Sequence, residues 1–523
     1  MLQAPQVAPG RRLAWRGGIG TLRRCVFAKT ETEWACSLFG WVVLAKASRK
    51  NARFFRFSRT IKNEDLFDSG CGFSVKVCKS NVCGISLGVR KQILPMKKIV
   101  ASVGLVALGT SGLQSASLAG MSAETPKPWA VSATLRGFYD DNVNTASTGP
   151  NKQDTFGFEV SPTVALGWHL DQTTITLSYL YSLKYYDTRP LQNANNYDQS
   201  HSFNGALDHA FSERYQVSLR DSFVIGQEPD FLRAGNTFTT FQRISGDNIR
   251  NYGAITFSAQ MTPLFGLELG YANAFYDYHD SGGTVLSPSR SGTADRTEHT
   301  FHLDGRWQVE PQTIGVIGYQ YAQIDYTGNE PVGINTSTFP FSPFFSDVRN
   351  SRSHYGYIGA DHTFRPDLTG SLRIGAQYID FYNEPSEETD VSPYVMASLR
   401  YTYLAQSYLE AGFSYNRNAT DLFSSKGTSL TSDAESATIW ASLNHALTPQ
   451  LIARVDGHFQ NSDYNGGQFN NQAEKYYLIG LNLAYHFNPH FSAEMGYNYD
   501  KLDSDVGRTF DRNRVYMGVT ASY

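Results

Sequence analysis

From residue 129 to the end of the chain, apolar and polar side chains alternate one by one in stretches of about 12 to 16 residues. The last stretch shows the pattern most plainly. Val515, Met517, Val519, Ala521 and Tyr523 fall on one parity, and Tyr516, Gly518, Thr520 and Ser522 on the other. Alternation of this kind is a β-strand with one apolar and one polar face. An uncapped apolar-faced strand at the end of a soluble sandwich would be an aggregation hazard, whereas in a closed barrel it pairs with the first strand and leaves no edge.

The stretches are joined by two kinds of connection. Tight turns occur at Leu170-Asp171-Gln172-Thr173, Ser212-Glu213-Arg214, Thr262-Pro263-Leu264, Glu310-Pro311-Gln312, Arg365-Pro366-Asp367, Ala405-Gln406-Ser407, Thr448-Pro449-Gln450 and Asn488-Pro489-His490. Proline recurs there because it pre-sets a turn dihedral and cannot extend a strand. Between the tight turns lie long polar loops at 144–153, 187–199, 228–248, 279–295, 327–350, 384–390, 421–432, 462–471 and 503–508. Eight tight turns and nine loops predict eighteen strands, an even number that leaves both termini on the tight-turn side. The predicted fold is therefore all-β: a transmembrane antiparallel up-and-down barrel with short periplasmic turns and long extracellular loops. A propeller of this period would show four short strands per blade rather than two long ones.

Parity assigns each side chain to a face. Val395, Ala397, Leu399, Tyr401 and Tyr403 are expected to face lipid, as are Ile479, Leu481, Leu483, Tyr485 and Phe487, and Phe491, Ala493, Met495, Tyr497 and Tyr499. A slip of one residue would turn every inward charge to lipid, which fixes the register. Asp221 breaks the rule: it shares parity with Val217, Leu219 and Phe223, so a bulge or an interfacial position is expected there.

Composition agrees with the barrel. Aromatics make up 14% of the 523 residues, with 31 Tyr and 33 Phe against 7 Trp, and 45 Gly are spread along the chain. Mean hydropathy is −0.35, which excludes a helical membrane protein. The net charge of −3 hides an asymmetry: residues 1–95 carry roughly +12 and the remainder roughly −15. All five cysteines (Cys25, Cys36, Cys71, Cys78 and Cys83) precede residue 96, and the Cys-free remainder suits passage through an oxidising periplasm.

From Met96 a basic start (Lys97, Lys98), an apolar run and the small residues Ser117-Leu118-Ala119 have the layout of a secretory signal peptide. The expected organisation is a spurious, disordered upstream extension at 1–95, a signal peptide at 96–119, and a mature barrel at 120–523 beginning near Gly120. Arg49, Lys50, Arg53, Arg56 and Arg59 could be read as a nucleic-acid patch, but an exported protein is not expected to bind nucleic acid.

Twelve charged or titratable residues fall on inward parity and are expected to line the pore: Arg220, Glu268, His302, Asp304, Arg306, Arg373, Arg400, Glu410, Arg454, Asp456, His458 and Glu494. Eighteen strands enclose an aqueous channel unless loops or a plug fill it. The bland alternative is that these charges simply satisfy one another in a solvated lumen. No His-Glu-x-x-His or Gly-x-Ser-x-Gly occurs, and pairs such as His302 with Asp304 arise from alternation by chance, so no catalytic residue and no enzyme are expected. Asp140-Asp141-Asn142-Val143-Asn144 lacks the Gly and terminal Glu of a calcium loop; no metal site and no cofactor are predicted. Loop 327–350, with Pro331, Pro340, Pro343 and Phe339, Phe341, Phe344 and Phe345, is unusually apolar for a loop in water. It is expected to constrict the lumen, cover the mouth or meet a partner.

The terminal aromatic strand resembles the sorting signal of bacterial outer-membrane barrels, with Val519, Ala521 and Tyr523 as the assembly signal. The opening strand, Leu135-Arg136-Gly137-Phe138-Tyr139-Asp140-Asp141-Asn142-Val143, and the Tyr-rich Cys-free hairpins after it resemble the family named Putative beta-barrel porin 2, over roughly residues 125–523. That resemblance implies a role linked to capsular or extracellular polysaccharide production. The expected partners are outer-membrane lipid, the barrel-assembly machinery, and polysaccharide or small polar solutes. The expected location is the bacterial outer membrane. The function read from this is a porin-like channel passing polar solutes or supporting surface polysaccharide export. The competing reading is a structural or adhesive barrel closed by infolded loops.

Overall fold

The computed structural model describes residues 127–147, 152–188, 195–226, 248–337, 339–384, 389–426 and 429–523, and four two-residue strands within residues 33–46. The expected signal peptide, Gly120, the five cysteines and the basic patch at 49–59 lie outside the described residues. Within residues 1–96, Glu33–Trp34 pairs with Ala45–Lys46, and Ser37–Leu38 with Trp41–Val42.

The rest forms one closed barrel of eighteen antiparallel strands. In chain order these are β1 (Trp129–Asp140), β2 (Thr155–His169), β3 (Thr173–Tyr186), β4 (Tyr197–Ala210), β5 (Tyr215–Gly226) and β6 (Asn248–Gln260). There follow β7 (Phe265–Tyr278), β8 (Arg296–Glu310), β9 (Thr313–Tyr326), β10 (Ser351–Arg365), β11 (Leu368–Asp380) and β12 (Thr389–Leu404). The last six are β13 (Ser407–Ala419), β14 (Asp433–Ala446), β15 (Leu451–Asn465), β16 (Ala473–Asn488), β17 (Phe491–Ser504) and β18 (Phe510–Ser522). Each pairs with its sequence neighbours, and β18 closes on β1 from Arg514↔Asp140 to Ser522↔Ser132. Val131 and Tyr523 then exchange two backbone hydrogen bonds, of 3.0 and 2.8 Å.

The tight turns form where the proline and threonine signals stand. Thr262 and Thr448 each precede a proline, and each hydroxyl accepts from the backbone N–H three residues on, at 3.0 Å. Proline fixes the dihedral while threonine satisfies the donor left free by the reversal.

The two faces are those read from parity. Leu399, Ile479, Leu481, Met495, Val515 and Met517 are exposed on the outer face, between rings such as Trp129, Trp307 and Phe491 near the turns and Phe158, Phe203 and Phe301 nearer the loops. Such a band, rimmed by aromatics, is what a lipid-facing wall requires. Asp221 needs no bulge: β5 pairs with β4 and β6 without a register shift through this position. It remains on the outer face, where Asn251 Nδ2 donates to its Oδ1 at 3.0 Å.

Candidate functional site: a belt of paired charges and a cap of loops

The inward charges gather near the short-turn end of the lumen. Glu268, Glu410, Arg454 and Glu494 are each the fourth residue of their strand counted from a tight turn. Arg220 donates to both oxygens of Asp208 at 2.8 Å. Arg454 pairs with Asp456 at 2.8 Å, and Arg400 stands 3.7 Å from Glu410. Arg136 bridges Glu494 at 2.6 Å and Glu159 at 3.1 Å. On the opposite arc, Arg306 and Arg373 both reach Asp361 at 2.8 Å, and Arg306 lies 3.8 Å from Glu268. In these contacts six arginines meet seven carboxylates, so the belt is close to neutral and each cation has an anion beside it. Aromatic faces add to it, with Arg136 4.7 Å from the Tyr516 ring centre and Arg400 4.7 Å from that of Tyr408.

Not all twelve expected lining residues present a face to the lumen. Glu268, His302, Asp304 and Arg373 are buried, and so is His458, whose ring lies 6.3 Å from that of Tyr476. The reason is packing along the wall: Tyr357 donates to Asp304 at 2.5 Å, and Tyr394 packs on Tyr355 and Tyr357. Gly318 makes room for this, since a Cβ there would overlap the Tyr357 ring. Arg220, Arg400, Glu410, Arg454, Asp456 and Glu494 are partly exposed, and Arg306 less so. Arg136, Glu159, Asp208 and Asp361 belong to the same belt. Their inward parity was the signal that could have found them.

At the other end the loops mesh across the mouth. Loop 327–350 folds into a hairpin, Pro331–Asn335 against Ser342–Phe345, followed by a 3-10 turn at Ser346–Arg349. Its Val332 and Phe344 pack with Leu430, Phe423 and Val348 in an apolar cluster joining it to loop 420–432. Gly333 lets the Phe423 ring lie against the hairpin backbone, where a Cβ would collide. The apolar loop thus takes part in a cover, while its tip remains outside, with Phe339 94% and Phe341 63% exposed.

Polar contacts complete the cap. Arg508, between β17 and β18, holds Asp421 through two bonds of 3.0 and 3.1 Å and Glu474 through bonds of 2.7 and 2.6 Å. Arg290, on the short helix α1 (Arg290–Ala294) between β7 and β8, reaches the same Asp421 at 3.5 Å. Arg349 donates to Thr293 O at 2.8 Å and to Thr420 O, and Glu330 accepts from Gly282 N and Gly283 N at 2.8 and 3.1 Å. The β7–β8 and β17–β18 loops leave the ring ten strands apart, nearly opposite one another. An eighteen-strand ring is roughly 35 Å across at 4.8 Å per strand and barrel tilt. Loops from opposite walls that meet on one carboxylate therefore bridge the mouth. Burial works to raise the Asp421 pKa, but Arg508, Arg290 and Arg349 hold the carboxyl below its usual range.

The acids of the loops are engaged rather than free: Glu384 accepts from Leu430 N at 3.2 Å and Asp390 pairs with Arg417 at 2.6 Å. Asp503 is paired with Lys501 at 2.9 Å, and Asp505 accepts from Ala473 N at 3.0 Å. Asp141, in the stretch weighed as a calcium loop, is spent on Lys152 and Asn513. Among the described residues no cluster of metal-ligating side chains occurs.

One seam of the wall is incomplete. The ladder between β12 and β13 stops at Val395↔Tyr415, although β12 pairs with β11 as far as Thr389 and β13 with β14 as far as Ala419. Arg417 spans the gap, reaching Asp390 on β12 at 2.6 Å, Asp433 at 3.2 Å and Glu435 at 3.0 Å. Its N–H donates to Gln377 Oε1 on β11 at 3.0 Å. A cavity of about 210 Å³ lies in this wedge, lined among others by Phe381, Arg417, Leu430 and Asp433.

An even-stranded closed barrel with an apolar outer band, aromatic rims, a polar interior and unequal loops at its two ends is an outer-membrane β-barrel of the porin-like channel class. Within it, residues 431–523, from the edge of β14 to the terminal Tyr523, match the family model described as Putative beta-barrel porin 2, the family that the sequence resembles. The match falls on the closing strands rather than on the opening motif at 135–143. No curated protein matches. Among solved structures to which the chain is similar, OpdK of Pseudomonas aeruginosa, solved with vanillate, is 12% identical with a TM-score of 0.38, covering 76% of this chain and 99% of that one. OccAB4 of Acinetobacter baumannii is 12% identical with a TM-score of 0.39 over 76% and 99% of the two chains, and OccK9 of Pseudomonas aeruginosa is 11% identical with a TM-score of 0.39 over 76% and 98%.

Proposed function

We propose that this barrel is a gated channel of the bacterial outer membrane for small polar solutes, its pore lined by the charge belt, and that it supports the export of surface polysaccharide. The observation that carries the gating is the meeting of Arg290 and Arg508, from opposite sides of the ring, on Asp421. Hydroxyl-rich or zwitterionic solutes suit the belt, because alternating cations, carboxylates and tyrosine faces offer both donors and acceptors without a strong field of either sign. The polysaccharide role rests on the family resemblance. A second reading, an adhesive barrel with a permanently closed mouth, is favoured by the exposed Phe339 and Phe341 at the tip of the cap.

Conductance in planar bilayers separates the two readings. The channel reading expects brief openings with weak cation preference, since the belt is near neutral and the chain beyond residue 95 is acidic. Reversal potentials in a salt gradient read that preference. Strong anion selectivity persisting at high salt would contradict the paired belt, and silence even after the cap is unfastened would leave the adhesive reading.

A further inference from the structure

Asp221 is a carboxylate on the outer face of β5, and the strand registers fix its depth. The pairing row through it runs Trp129, Leu166, Leu177, Gly205, Asp221, Gly253, Asn273, His299. Trp129 stands at the short-turn rim, 5.7 Å from the ring of Tyr523. His299 is near the loop end, its ring 6.1 Å from that of Tyr271. Each step along such a row rises about 3 Å at barrel tilt. Four steps place Asp221 about 12 Å above the rim, in the middle of an apolar band about 25 Å tall.

At that depth lipid offers no donor. Asn251 supplies one bond to Oδ1 at 3.0 Å, but a carboxylate has about four acceptor directions. Flanking it on the same row are Gly205 and Gly253, which carry no side chain to shield it. Other mid-wall outer positions, such as Leu303, Ile358, Leu399, Leu481 and Met517, are exposed hydrophobics.

We infer that this patch of β4–β6 is an interface with a second copy of the chain. Three features point to that occupant. A partner at mid-bilayer depth must itself span the membrane. The patch carries donor and acceptor together, Asn251 beside Asp221, which is the self-complementary arrangement a two-fold contact needs: one amide N–H stays on Asp221 of its own copy, and the second, held within that copy only by a 3.4 Å contact with Ser222 O, meets the carboxylate of the other copy, and the reverse. The paired glycines let two walls approach closely at that level.

The test uses the full barrel in outer membranes, with the five native cysteines replaced by serine. Ile255→Cys lies on the outer face of β6 beside the patch, and Val455→Cys on β15 lies across the ring. A bifunctional maleimide is expected to convert the first variant to twice the monomer mass and leave the second monomeric. Asp221→Leu and Asn251→Leu, each placing an apolar side chain on an apolar wall, should still assemble but abolish the Ile255→Cys adduct and shift native mass to the monomer. An adduct of another mass would identify a different membrane partner and overturn the inference. So would a monomer in every variant, which would mean that lipid tolerates Asp221 with Asn251 alone.

Discussion

Replacing Asp421 by asparagine should unfasten the cap. The carboxylate side chain is only 3% exposed and accepts two bonds from Arg508 and a longer contact from Arg290. Breaking a buried pair costs about 3–5 kcal/mol, largely because the partner is left as an unpaired charge. Here Arg508 keeps Glu474 at 2.6 Å, so the lower end, about 3 kcal/mol, applies. At 1.36 kcal/mol per decade this shifts the closed-to-open ratio by roughly 150-fold. The pH dependence has a definite sign. The carboxyl pKa is depressed in the folded cap, so its contribution is fully present above the ordinary carboxylate range and is lost only as pH falls through the lower folded value. Single-channel records should show rare openings for the parent between pH 5 and 8 and long-lived openings for Asp421→Asn at every pH. A variant with the parent's open probability and an unchanged circular dichroism spectrum would refute the clasp.

Three further outcomes are expected. Asp295, at the end of the β7–β8 loop, has its pKa pushed up to about 6, chiefly by burial and also by Asp277 and Glu330. Its neutral form is favoured in the folded loop, so the stability it contributes is full below about pH 3.9 and lost as pH rises through 6; proteolysis of this loop should increase over that window, and Asp295→Asn should make it pH-independent. Arg417→Ala leaves Asp433 and its neighbours unpaired at the open seam and should destabilise the outer end of β12–β13 by about 3–5 kcal/mol, read as faster hydrogen exchange at 389–394 with β1–β6 unaffected. Deleting Tyr523 removes its backbone bonds to Val131 and its ring contacts with Trp129 and Lys127, while replacing it with aspartate removes the ring contacts alone; either change should leave barrel accumulating in the periplasm, and normal membrane insertion would show that the terminal aromatic carries no assembly role.

What was legible in the sequence followed from the period of two. Alternation is a local property, so strand count, turn positions and the outward face of residues such as Leu399, Ile479 and Met517 could be read without knowing any distant contact. The same parity located the belt. It could not show that Asp304 would be buried, because that depends on Tyr357 from another strand. Of the cap only the apolar character of loop 327–350 was legible, and its contacts were not. Arg508 and Asp421 are 87 residues apart in loops that have no period to reveal which side chains meet. Arg417 was hidden differently: it shares the parity of Phe413 and Tyr415 and sits in an ordinary alternating strand, and only the missing rungs between β12 and β13 give it a task.

The closure of β18 on β1 sets an order of events. Thr134 and Thr520 share a hydrogen bond at 2.8 Å although they are 386 residues apart, nearly the whole length of the barrel. Joining ends so distant costs about 5 kcal/mol of chain entropy, and no rung of that seam can form until the last strand has been synthesised and exported. Until then both outermost strands present unpaired N–H and C=O groups along an apolar face, a template for pairing with any other chain. The strand emerging last is thus the one that removes both raw edges at once. Any partner that gripped β18 and released it to β1 would abolish both hazards in a single exchange of hydrogen bonds.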